Sequence, residues 1–73
     1  MTLEQAEHLL RTHQARALYR PGWHRYLVAA PYGYLLEIWP GQGGGVSAWL
    51  GTPVDRGARD WRVVPCRTRG VAR

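Results

Sequence analysis

The sequence contains no lysine and no phenylalanine, and only one cysteine, one methionine and one serine. Each scarcity excludes something. Cys66 has no partner within the chain, so an intrachain disulfide is excluded. His8, His13 and His24 fall in no C-x-x-C or H-x-x-x-H pattern, and one cysteine is too few for the usual zinc clusters. No metal and no cofactor is therefore expected. Ser47 lies in no G-x-S-x-G motif, and no spacing among Glu37, Asp55 and Asp60 argues for a working carboxylate pair. No catalytic residue is legible, and a binding protein is expected rather than an enzyme. Long apolar runs are missing too, so no membrane span is expected. Met1 to Leu10 carries Glu4 and Glu7 and lacks the basic and apolar regions of a signal peptide. A lone free cysteine suits a reducing compartment. These readings point to the cytoplasm.

What is present is arginine. The formal net charge is +5, and all ten basic residues are arginines. A GC-rich coding genome would produce this bias by itself. Arginine's planar fork also grips phosphate with two hydrogen bonds, which points to an anionic ligand. Arg67, Arg69 and Arg73 sit in residues 67–73, read here as a basic flexible tail, and without those three the charge is +2. The remainder, residues 1–66, reads as one small ligand-binding domain. A chain of 73 residues buries a thin core. With disulfides and metal excluded, self-association is the remaining route to stability, and a homo-oligomer is expected.

Thr2-Leu3-Glu4-Gln5 matches a capping box, with a hydroxyl at the cap and an amide three residues on. Leu3, Ala6, Leu9 and Leu10 follow on one helical face, which predicts an amphipathic helix from about Leu3 to His13. Extended segments follow at Arg16–Tyr19, Arg25–Ala30, Tyr34–Trp39, Val46–Leu50 and Trp61–Pro65. Pro21-Gly22 and Pro31-Tyr32-Gly33 read as turns. Alternation places Tyr34, Leu36 and Ile38 on one face of their strand and Leu35, Glu37 and Trp39 on the other. Gly41 to Gly45 lacks the lysine and hydroxyl of a phosphate loop and reads as a flexible connection. Gly51 to Asp60 has room for a structured loop or one helical turn. The expected fold is α+β: a short N-terminal helix packed on a small, mostly antiparallel sheet of four to five strands.

The four tryptophans and four tyrosines are the clearest functional signal. Both residue types carry a polar edge on an apolar body and suit sites that are half buried. Trp23 stands between Arg20 and Arg25, so a ring that stacks on a base would have cations beside it for phosphates. Filling the core is the plainer role for any one of these tryptophans.

The stretch Trp49-Leu50-Gly51-Thr52-Pro53-Val54-Asp55-Arg56-Gly57-Ala58-Arg59-Asp60-Trp61 resembles the C-terminal signature of the second Thoeris anti-defence family, small phage proteins. The resemblance lies in the spacing of Trp49, Asp55, Ala58, Asp60 and Trp61. The start of the chain is similar as well: a short amphipathic helix leads through Ala15-Arg16-Ala17-Leu18-Tyr19-Arg20 into Pro21-Gly22-Trp23. The resemblance covers roughly residues 2 to 64. His24-Arg25 stands where the family usually has Asn-Gly, and Thr52 is the hydroxyl nearest to its usual serine. Arg56-Gly57 replaces an apolar pair.

The resemblance implies a sponge that binds a cyclic ADP-ribose-type immune signal in the infected bacterial host cell without degrading it. It implies homo-oligomers, dimers or tetramers, with pockets between chains; some members also hold cyclic dinucleotides. On that footing Trp23 and Trp61 would line the base, Arg20 or Arg25 would meet the pyrophosphate, and Asp55 or Asp60 would accept ribose hydroxyls. Capping, or pairing with Arg56, Arg59 or Arg62, is the structural alternative for the two aspartates. His24, Tyr26, Trp49 and Thr52 complete the expected ligand-binding set. Two other functions fit the same sequence: a small basic nucleic-acid-binding module, and an inhibitor that binds a host defence nuclease.

Overall fold

The computed structural model describes residues 1–41 and 43–66. The basic segment 67–73 lies outside the described residues. Helix α1 spans Leu3–Arg11. The capping box forms as the sequence predicts: the Gln5 amide donates to Thr2 Oγ1 at 3.2 Å and the Thr2 amide donates to Gln5 Oε1 at 2.9 Å. The helix ends two residues before the expected His13. The Gln14 amide donates to Leu9 O, the His13 amide donates to Leu10 O, and His13 has φ 64. This pair of bonds around a left-handed residue is a Schellman closure. Its usual signal is glycine, and histidine conceals it.

Five strands follow: β1 Ala15–Tyr19, β2 Tyr26–Ala29, β3 Leu35–Trp39, β4 Gly45–Ala48 and, after the one-turn helix α2 Pro53–Gly57, β5 Arg62–Pro65. They form one sheet in the order β4-β3-β2-β1-β5, with every neighbouring pair antiparallel. The fold is the expected α+β arrangement, with five strands. The residues 51–60 resolve into α2, whose cap is Thr52: its Oγ1 accepts from the Asp55 amide at 3.1 Å.

Helix α1 covers one face of β1, β2 and β5. Leu3, Ala6 and Leu10 meet Leu18, Leu27, Leu35, Trp49 and Trp61 in a single core. Leu18 lies opposite Leu27 and Leu27 opposite Glu37, so Glu37 belongs to this covered side of the sheet. The alternation read for β3 holds: Ile38 and Leu36 pair with Tyr26 and Val28 and occupy the other side. Among the described residues no helix covers that second side. No helix among the described residues is long and apolar enough to cross a membrane.

Candidate functional site

The uncovered sheet face holds an open concavity of about 780 Å³. Its floor comes from strand alternation. With Leu18 and Leu27 turned to the core, their neighbours Tyr19 and Tyr26 turn outward, facing each other across the β1–β2 pair. Ala17 and Val28 continue the floor, and Val64 of β5 extends it. The rim comes from the β1–β2 turn. Pro21 fixes one turn position, Gly22 takes φ 86 at the next, and the Trp23 amide donates back to Arg20 O at 3.1 Å. The turn sets Trp23, His24 and Arg25 on one edge of the hollow, and Arg16 stands on its wall. Arg16 reaches this face because β1 is irregular between Ala15 and Ala17.

Charge is divided between the two sides. None of the five carboxylates lines the concavity. Glu4 and Glu7 lie on α1; Glu37 pairs with Arg25; Asp55 and Asp60 both hold Arg20. Arg16 and His24 therefore face the hollow without an acidic neighbour on its wall. The floor is two phenol rings and short apolar side chains. Such a surface favours a flat, anionic ligand.

The four tryptophans form one continuous row with arginines inserted. The Arg25 guanidinium lies 3.7 Å from the centre of the Trp23 ring and 5.1 Å from that of Trp39. Trp23 meets Trp61 edge to face at 5.2 Å, Trp61 meets Trp49 at 5.8 Å, and Arg56 sits 5.1 Å from Trp49. Arg25 also pairs with Glu37, although its buried Nε–H has no aligned acceptor. Each cation–π contact contributes about 0.5–2 kcal/mol, more as water is excluded.

Arg20 is committed elsewhere. Its Nε donates to Asp60 at 2.8 Å and its Nη1 to Asp55 at 2.7 Å, locking the segment after β4 onto the end of β1. The Arg20 hydrogen bond holds the Asp60 carboxyl below the ordinary aspartate value. The reciprocal bonds to Asp60 and Asp55 raise the Arg20 pKa.

The expected ligand set thus separates into three groups. Trp23, His24, Arg25 and Tyr26 share the open concavity. Trp49, Thr52 and Asp55 line a second hollow of about 300 Å³ on the covered side, and Arg25 borders both. Arg20, Asp60 and Trp61 line neither. Trp61 is 1 % exposed, and its indole N–H donates to Asp55 O at 3.0 Å, so within this chain it has no free ring face for a base. Arg20, rather than Arg56, Arg59 or Arg62, pairs with both aspartates. Sequence reasoning missed Arg16 and Tyr19. Tyr19 had a signal: it precedes the turn in step with Tyr26. Arg16 had none, because the strand irregularity aims it. Among the described residues no three histidine, cysteine or acidic side chains cluster as a metal site.

No protein-family model, no curated protein and no solved structure matches this chain.

Proposed function

We propose that the protein binds and sequesters a cyclic nucleotide signal of the cyclic ADP-ribose type, without degrading it, on its open sheet face. The carrying observation is a carboxylate-free concavity of about 780 Å³ with Tyr19 and Tyr26 on its floor and Arg16, His24 and Arg25 around it. That volume lies within the roughly 300–1,000 Å³ common for small-molecule sites. A base or ribose stacks on the tyrosine pair, and Arg16 and His24 take the pyrophosphate. Trp23 supports the rim, because Arg25 already covers its ring. This reading keeps four of the expected residues at the site, Trp23, His24, Arg25 and Tyr26, and moves base contact from Trp23 and Trp61 to the tyrosines.

In the same reading the protein is a phage anti-defence sponge acting as a homo-oligomer in the cytoplasm of the infected bacterial host. The motifs around Trp23 and from Trp49 to Trp61 are its support. Calorimetric titration with a glycosidic cyclic ADP-ribose isomer tests it. The expected result is saturable binding with the ligand recovered intact. Hydrolysed ligand, or no heat, would overturn it.

The same basic, aromatic face favours a second reading, a module for single-stranded nucleic acid. A short oligonucleotide separates the two: its affinity would fall steeply between low and high salt as counterions are released. A small dianionic ligand would show a much shallower dependence.

A further inference from the structure

The two edges of the sheet are built differently. At one edge β5 carries Arg62 and ends at Pro65, both of which discourage a further strand. At the other edge β4 is Gly45-Val46-Ser47-Ala48, with no charge and no proline. All four of its residues are exposed. Within it Val46 is 58 % exposed, and two residues past its end Leu50 is 80 % exposed. A bare, uncharged edge flanked by solvent-facing aliphatic side chains is what proteins normally avoid unless the edge is paired.

We propose that β4 pairs antiparallel with β4 of a second copy of this chain, joining two five-stranded sheets into one. The register follows from the hydrogen bonds inside the chain. The Trp49 amide donates to Leu35 O at 2.8 Å, and the pairing continues as Leu36–Ala48, Glu37–Ser47, Ile38–Val46 and Trp39–Gly45. Antiparallel ladders alternate between bonded and non-bonded pairs. Ser47 and Gly45 therefore turn their backbone groups toward β3, whereas Val46 and Ala48 turn theirs to the free edge. A two-fold axis at Ser47 sets Val46 of each copy against Ala48 of the other and satisfies all four outward-facing groups of each strand. It also keeps like faces together, since Val46 and Ala48 lie on the open side with Ile38 and Leu36. Leu50 then falls opposite Gly44 of the second copy, where no side chain obstructs it. The pairing uses one edge on each copy, and the protected β5 edges stop it at two. The two open, basic faces would then lie side by side on one surface. This inference gives the interface for the self-association proposed above and does not depend on which ligand binds.

The test is sedimentation of the full chain over a concentration series, together with register-specific crosslinking. The wild type is expected to sediment as a dimer. Val46→Pro removes only an outward N–H and is expected to give a folded monomer by circular dichroism; Val46→Lys should do the same by adding edge charge. In a Cys66→Ser background, Ser47→Cys is expected to form a disulfide dimer on mild oxidation, because the axis sets position 47 against itself. Val46→Cys, facing Ala48, is expected to crosslink far less. A wild type that stays monomeric at every concentration would overturn the proposal. So would a dimer that survives both Val46 variants, which would place the contact on the open face, and so would equal crosslinking at 46 and 47. Ligand titration of the folded Val46→Pro monomer is a separate readout, so failure of the dimer and failure of nucleotide binding are distinguishable.

Discussion

Trp61 separates a core role from a ligand role, and Trp61→Phe is the sharpest perturbation. The native indole is 1 % exposed, touches both Trp23 and Trp49 edge to face, and donates to Asp55 O at 3.0 Å. Phenylalanine keeps one ring but removes the donor and part of the volume. Loss of the hydrogen bond costs about 1 kcal/mol, with Asp55 O keeping only the Ala58 amide at 3.3 Å. The missing ring volume adds about 1–2 kcal/mol in transfer and cavity terms. A domain of this size holds roughly 3–10 kcal/mol in total, so a loss of about 2–3 kcal/mol is a large fraction. Urea unfolding followed by circular dichroism, at one fixed protein concentration, reads it as a lowered midpoint with an unchanged slope. At low urea the folded variant is expected to bind the cyclic nucleotide with wild-type affinity. Unchanged stability with lost binding would refute the reasoning, since it would make Trp61 a ligand contact rather than the centre of the tryptophan row.

Further outcomes follow from the same geometry. Arg16→Ala is expected to weaken nucleotide binding by about ten- to a hundredfold, the loss of one charge-assisted contact of about 1.5–3 kcal/mol, with no change in the unfolding midpoint; calorimetry checks both halves. Tyr19→Ala and Tyr26→Ala should each cost about 1–3 kcal/mol of binding if both rings carry the base. Gly51→Ala should destabilise the segment before α2, because Gly51 has φ +71 and an added Cβ would lie 2.9 Å from the Trp49 ring and from Arg56 Nε; thermal unfolding reads the loss. The Asp60 carboxyl is held below the ordinary value of 3.8 by Arg20, so its contribution to stability is present above that value and is lost as pH falls through its own lower one. Asp60→Asn should remove that part of the acid dependence, measurable as a flatter curve of unfolding midpoint against pH.

Local signals carried much of this protein. Thr2 and Gln5 announced the start of α1, since a capping box needs only residues three apart. Pro21-Gly22 and Pro31-Tyr32-Gly33 announced two turns because few residues reach the backbone angles required there. Alternation in β3 assigned Leu36 and Ile38 to one side and Leu35 and Glu37 to the other. Nearness in sequence also brought Trp23, His24, Arg25 and Tyr26 to one hollow.

Tertiary structure decided the rest. Thr52, Asp55 and Asp60 lie far from Arg20 in the chain, and no local pattern says that one arginine will hold both aspartates. Trp61 and Trp23 looked alike as residues; only the closing of β5 onto β1 buried one and left the other at a rim. Arg16 reached the open face through a strand irregularity set by pairing with β5. The bare edge of β4 became visible only with the strand order, because an edge is a property of which neighbours are absent. Composition and spacing fixed which elements form and which side chains each one offers. Long-range pairing fixed which charges cancel, which rings are enclosed and which face stays open to a ligand, since those depend on contacts between residues that sequence distance keeps apart.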